Sequence, residues 1–294
     1  MLSFNQNRQY HSACPICKSN DLRYRHTINN FTLVQCQRCK LIFVKEQCSQ
    51  AELDVHYKVN EGVVADEDRV YLDRKNAVNL KYYYRNLRAL ILKKISDGKI
   101  LDVGCNTGQF LDEMEGFERY GIDRSPSHGK IAKEKYGDNI FIGAFEDYQA
   151  PNWLFDCITL QDVLDHLTGP LEALRKCHQL LKPNGLLVIK VHNMSSLLAR
   201  VTGGKFYAFI PPTHLFYFNR AALAVALKES LFDIIFSKYL GHQMFLSTVF
   251  YRLSRGRQEG IFFKLYKLID GTWLGRKKIY KNLHDIITVF AVKK

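Results

Sequence analysis

The sequence predicts an α/β fold, a parallel sheet with crossover helices preceded by a small metal-stapled module. Three observations carry this expectation. From Ser96-Asp97-Gly98 onward, short apolar runs alternate with stretches of helical periodicity, as strands joined by crossover helices do. Early in that region an apolar run, Lys99–Val103, passes through a small-residue turn into a helical pattern. Ahead of it lie two Cys-x-x-Cys pairs in a segment too short to fold on an apolar core of its own. The 294 residues, 47% hydrophobic and 24% charged, suffice for one sizeable core and a small appended module.

The implied boundaries are a metal ribbon over 1–48, a helical linker over 49–95 and the α/β domain over 96–294. In the ribbon, Cys14-Pro15-Ile16-Cys17 and Cys36-Gln37-Arg38-Cys39 are separated by eighteen residues. A two-residue gap lets both thiolates of a pair reach one ion, and two pairs complete a tetrahedral zinc shell. Four thiolates leave no open position, so Cys14, Cys17, Cys36 and Cys39 are expected to hold a structural Zn2+. Cys48, Cys105, Cys157 and Cys177 lack such spacing and read as ordinary buried residues. In the linker, Leu80, Tyr83, Tyr84, Leu87, Leu90, Ile91 and Ile95 recur at spacings of three and four, the stripe of an amphipathic helix.

Strands are expected at Lys99–Val103, Arg119–Ile122, Ile140–Ile142, Phe155–Leu160, Gly185–Val191, Phe232–Lys238 and Ile286–Val292. Helices fit Gln109–Glu115, Ser127–Tyr136, Pro170–Leu181 and Arg220–Ser230. Lys182-Pro183-Asn184-Gly185 reads as a helix stop followed by a turn. An aromatic and basic helical insertion occupies 241–283, as a wall of a binding site or a lid.

The turn is Asp102-Val103-Gly104-Cys105-Asn106-Thr107-Gly108. Gly104 and Gly108 let the backbone bend sharply and a ligand approach closely. Such a turn alone also suits a dinucleotide or a plain tight connection. Two acids narrow it. Asp102, before the first glycine, could meet the amino end of an amino-acid-like ligand. Asp123 ends the next strand about 20 residues on, placed to accept hydrogen bonds from ribose hydroxyls. The loop lacks Gly-x-Gly-x-x-Gly, because Cys105-Asn106 follows Gly104, which disfavours a hydride-transfer enzyme.

On these residues the segment from Ile100 to Leu231 resembles the class I S-adenosylmethionine-dependent methyltransferases, with a Rossmann-like seven-stranded core. Phe145-Glu146-Asp147 follows the third strand, where that family packs adenine. Phe155 to His166 resembles its fourth-strand block, and Leu180 to Leu187 its Leu-x-Pro-Gly-Gly turn. Asn106 departs from the middle glycine many members carry. The resemblance implies S-adenosylmethionine contacts from Asp102, Gly104, Cys105, Asn106, Gly108, Phe110, Asp123, Arg124, Phe145, Glu146 and Gln161. Ribbon, linker and core together are similar to a bacterial zinc-ribbon group that includes sugar C-methyltransferases and, more loosely, ubiquinone-type O-methyltransferases.

A methyl acceptor belongs beyond the carboxyl ends of the strands, which nominates Asp162, Asp165, His166, His192 and His214. A histidine there could take a proton from the acceptor, so the expected catalytic residues are His214, His166 and Asp165. The segment Pro211 to Asn219 resembles the acceptor segment of the sugar C-methyltransferases, but Pro211 and Thr213 replace its tyrosine and glutamate. A net charge of +13 favours an anionic partner, and the resemblance implies a small acceptor such as a nucleotide-linked sugar or related metabolite. Two other readings are an RNA methyltransferase, whose phosphate contacts that charge would suit, and an interaction protein with a non-catalytic core. No apolar run approaches the ~20 residues that cross a bilayer, and residues 1–11 lack the apolar centre of a secretory signal, so a cytoplasmic location is expected.

Overall fold

The computed structural model describes residues 10–49, 52–53, 80–254 and 259–294. Most of the expected linker, 54–79, lies outside the described residues.

The ribbon begins with two matching turns. In each, the residue after the second cysteine (Lys18, Lys40) adopts a left-handed conformation and donates its N–H to the carbonyl of the first cysteine, at 3.0 and 2.9 Å. Each turn therefore points its two thiols inward from one tight loop. Strands β1 (Leu22–Ile28), β2 (Phe31–Cys36) and β3 (Ile42–Val44) then form an antiparallel sheet. Its fourth strand is β9 (Phe216–Tyr217), which comes from the α/β domain.

After helix α1 (80–91) the domain runs β4 (Gly98–Val103), α2 (Gln109–Asp112), β5 (Phe117–Asp123), α3 (Pro126–Tyr136), β6 (Ile140–Ile142), β7 (Phe155–Gln161), α4 (Pro170–Leu180), β8 (Leu181–His192), α5 (Leu197–Thr202), β9, α6 (Arg220–Glu229) and β10 (Phe232–Lys238). The insertion follows as β11 (His242–Phe245), α7 (Leu246–Leu253), α8 (Ile261–Ile269) and β12 (Lys278–Lys281), and β13 (Ile286–Lys293) closes the sheet. The large sheet has the order β10-β13-β8-β7-β4-β5-β6.

All seven expected strands are present, but the sheet is mixed rather than parallel: β13 runs antiparallel to both β8 and β10. Three further expectations are corrected. The helix at Gln109–Glu115 stops at Asp112, because Met114 is buried and Gly116, at φ 97°, turns the chain into β5. The Lys182–Gly185 turn is instead a bulge inside β8: pairing with β7 jumps from Phe155–Leu181 to Cys157–Leu186, and Asn184 takes φ 61°. The insertion is only half helical, since β11 and β12 pair antiparallel beside its two helices.

Consecutive strand residues serve opposite faces, as a period of two requires. Leu101, Ile158, Leu187 and Ile189 join one cluster with α4 and α6, while Ile100, Cys157, Leu186 and Val188 pack with Tyr83, Leu87 and Ile91 of α1. The first cluster continues without a break into ribbon residues Leu33, Leu41 and Phe43. The ribbon thus shares its apolar core with the larger domain.

Phe43 is fully buried at that junction. Phe43→Ala should destabilise the protein by about 3–5 kcal/mol, read from urea unfolding. Circular dichroism and a fluorescent label on the ribbon should report one shared transition. Two separated transitions would mean that the ribbon folds independently.

Candidate functional site

At the carboxyl end of β4 the chain bends through Gly104 (φ 75°), Asn106 (φ 51°) and Gly108 (φ 80°). A Cβ on Gly104 would sit 2.4 Å from Val163, and one on Gly108 2.6 Å from Tyr136, so both positions exclude side chains by conformation and by space. Asparagine tolerates the left-handed region, which explains why Asn106 replaces a glycine without distorting the loop. Asp123 at the end of β5 fixes the loop's height. Its two oxygens accept the N–H of Asn106 at 2.7 Å and of Ser125 at 2.9 Å.

Beneath the loop, the buried carboxylate of Asp102 accepts the Thr159 hydroxyl at 2.5 Å and the Gln161 amide at 3.3 Å. Burial pushes its pKa up to about 7 against the pull of those two donors. The other amide atom of Gln161, Oε1, is buried with no partner. Asp102, Gly104, Asn106, Gly108, Asp123 and Gln161 thus form one cradle. Phe110 lies instead in the core against Tyr84, with Cys105 buried beneath the loop. Phe145 is likewise buried, under Lys176, while Glu146 is exposed and Arg124 half-buried.

Beyond the ends of β7 and β8 lies a second constellation around Asp165, which is buried. His192 Nδ1 is 3.5 Å from one of its oxygens, His214 Nε2 4.0 Å from the same oxygen, and His166 Nε2 3.9 Å from the other. Burial alone would raise Asp165, but the imidazoles outweigh it and hold the carboxyl at about 2. Burial also opposes a charged His192, yet Asp165 raises it. His214 goes the other way, pushed down to about 4 chiefly by burial. Its Nδ1 lies 2.8 Å from the Ala208 carbonyl, an acceptor, so Nδ1 carries the proton and Nε2 presents a lone pair. Asp165, His166 and His214 each offer a donor atom within 4.8 Å of the others, a spacing that one metal ion could bridge.

The ribbon helps to hold His214 in place. Asp165 O accepts the N–H of Leu215 and Phe216, Val44 N–H donates to Leu215 O, and Asn219 Nδ2 donates to Lys40 O. The four ribbon sulfurs lie within 4.8 Å of one another, and none of the eight cysteines forms a disulfide.

Sequence reasoning missed Lys190 and Thr159. Lys190 is a buried cation, paired with Asp162 at 2.5 Å and set 4.7 Å over the Tyr83 ring. In sequence it is a lone lysine ending the apolar run Leu186-Leu187-Val188-Ile189, and nothing local says that it points inward. No helix among the described residues is long and apolar enough to cross a membrane.

A methyltransferase domain family model matches residues 75–235. Relatives include ubiquinone biosynthesis O-methyltransferases of Xanthomonas euvesicatoria (27% identity, 62% of this chain and 80% of the relative) and Xanthomonas oryzae (28%, with the same coverage). Among solved structures, a SAM-dependent methyltransferase from Archaeoglobus fulgidus aligns over 76% of this chain and 99% of its own, with TM-score 0.50 and 20% identity. That last likeness speaks for the fold.

Asp165→Asn should lower the His192 pKa, because it removes the charge that raises it; imidazole NMR titration reads this directly. The wild type should lose stability as pH falls from about 4 toward 2, since Asp165 lies below the ordinary carboxyl value of 3.8 when folded. The variant should lack that loss. An unchanged His192 titration would break the assigned coupling.

Proposed function

Because this chain belongs to the methyltransferase domain family, as a class I S-adenosylmethionine-dependent methyltransferase, we propose that it methylates a small anionic, hydroxyl-bearing acceptor such as a nucleotide-linked sugar or a related metabolite. The observation that carries the acceptor side of this reading is the lone pair of His214 Nε2, aimed into a buried cluster beyond the strand ends. The O-methyltransferase names of the Xanthomonas relatives support oxygen as the receiving atom, and the net charge of +13 supports an anion.

The cradle's chemistry suits S-adenosylmethionine. An ammonium group would meet the demand of Asp102, which burial leaves short of a cation, and Gln161 Oε1 is a spare acceptor beside it. Asp123, which the Asn106 and Ser125 N–H groups hold at the end of β5, stands where a nucleotide's ribose hydroxyls would be met. When bound, the cofactor supplies an electrophilic methyl group. His214 Nε2 takes the acceptor's proton as its oxygen attacks, and Asp165, ionised throughout, stabilises the imidazolium that results. His166 and His192 keep Asp165 ionised and fix its position. Cys14, Cys17, Cys36 and Cys39 hold a structural zinc, whose task is to keep β3 rigid against β9 and the acceptor loop.

Substitutions in each half of the site, a transfer screen and metal analysis test this assignment. His214→Ala should cut kcat by about 10²–10⁴ while leaving the S-adenosylmethionine Kd within about twofold, as loss of a general base predicts. Asp102→Asn should do the reverse, and wild-type affinity should rise with pH through about 7 as Asp102 ionises. Transfer of labelled methyl across nucleotide sugars and phenolic metabolites selects the acceptor; undiminished kcat in His214→Ala removes it as the base. Metal analysis should find one zinc per chain, lost in Cys14→Ser, and a zinc-free wild type would refute the ribbon assignment.

A further inference from the structure

Helix α8 of the insertion is apolar on two sides. Tyr266 and Ile269 face inward and are buried, and Tyr266 stacks edge-on with Tyr251 of α7. Ile261, Leu265 and Leu268 recur at i, i+4 and i+7, which places them on one stripe about a quarter of a turn away from that buried face. Ile261 is 69% exposed and Leu268 73% exposed, and Trp273, four residues beyond the helix, is 74% exposed. Leu265 between them is half-buried, and among the described residues nothing covers Ile261, Leu268 or Trp273.

The charges beside it are of one sign. Lys264 and Lys267 flank the stripe on the exposed side of the helix, and Arg276, Lys277 and Lys278 follow Trp273, all of them exposed. Between 259 and 281 only Glu259 and Asp270 oppose them. Lys277 lies 5.2 Å over the Trp273 ring, so cation and aromatic ring share one local surface. An apolar stripe edged by lysines with a tryptophan at its margin matches the interfacial layer of a bilayer: side chains enter the acyl boundary, the ring sits among headgroups and the ammonium groups meet anionic lipid.

We propose that α8 and Trp273 form a docking surface for an anionic membrane. The surface lies outside the 75–235 region shared with the family, so it is an addition to the core rather than part of it. It is rooted beside the acceptor loop. Lys281 of β12 lies 5.9 Å over the Tyr207 ring, whose hydroxyl donates to Asp285 and whose other neighbour is His192. The insertion that carries α8 thus also touches the segment leading to His214.

The test needs no turnover, so it stands apart from the methyl-transfer assignment. Full-length protein is mixed with phosphatidylcholine vesicles, with or without phosphatidylglycerol, and followed by cosedimentation. Trp273 fluorescence is followed in a Trp153→Phe background. Binding to the anionic vesicles with a blue shift is expected, with little binding to the neutral ones. Leu268→Glu, and separately Lys264→Glu with Lys267→Glu, should each weaken binding by at least about tenfold while circular dichroism is unchanged. No binding to anionic vesicles at low salt overturns the proposal. So does binding that ignores these substitutions, which would assign it to another surface. Lipid-free self-association abolished by Leu268→Glu also overturns it, because the stripe would then face a second copy of the chain.

Discussion

The pairing of β3 with the two-residue strand β9 holds the rest of the site in place. Ile42 faces Tyr217 and Phe43 faces Phe216, and Val44 N–H adds a bond to Leu215 O just before the strand. Each such bond is worth only about 0.5–1.5 kcal/mol net. Their effect comes from what they connect: the loop carrying His214 is gripped on one side by the ribbon and on the other by the Asp165 carbonyl. A loop of this length between α5 and α6 would otherwise leave the His214 imidazole free to move away from Asp165. The buried Phe43 and Phe216 make the grip apolar as well as hydrogen-bonded, so holding the histidine and folding the ribbon depend on the same contacts.

Among the charges buried at the strand ends, Lys190, Asp165 and Asp102 each meet the desolvation cost differently. Lys190 has a carboxylate partner in Asp162 and an aromatic face in Tyr83. Asp165 has three imidazoles and stays ionised. Asp102 has only neutral donors, and its raised pKa marks the shortfall. An uncompensated buried carboxylate beside a glycine turn is a poor structural feature and a good receptor for a cation. The contrast separates the two halves of the site: Asp165 is surrounded by imidazoles of the protein itself, while Asp102 has no cationic partner among the described residues.

How much of this was legible in the sequence follows from the range of the forces involved. Strands such as Phe155–Gln161 and helix α4 are set by local periodicity, and Gly104 and Gly108 by local backbone sterics, so a linear reading finds them. The direction of β13 is not local. Its apolar pattern is the same whichever way it enters between β8 and β10. Nor could Phe216-Tyr217 be read as a strand, since two residues carry no period; its partner lies in another module. The convergence of the two cysteine pairs was legible because spacing alone encodes it. Phe110 and Phe145 were assigned to the ligand by family position, and both rings are buried. Lys190 was overlooked because apolar periodicity gives no hint that a lysine at a strand end points inward.

Backbone strain points to the same edge of the sheet. Asn106 and Asp162, at the ends of β4 and β7, both hold positive φ, at 51° and 56°. Such residues cost about 1–3 kcal/mol each and persist only where neighbours over-determine them. Asp162 has such neighbours: its N–H donates to the Lys190 carbonyl and its carboxylate takes the Lys190 ammonium, so one residue of β8 clamps it at both ends. The clamp turns the chain sharply between Gln161, which faces the cradle, and Asp165, which centres the histidine cluster. Without that turn β7 would continue outward, carrying Asp165 away from Asp102. The missed lysine thus has a structural task that the sequence concealed: it holds the bend that puts the two halves of the site on the same edge of the sheet.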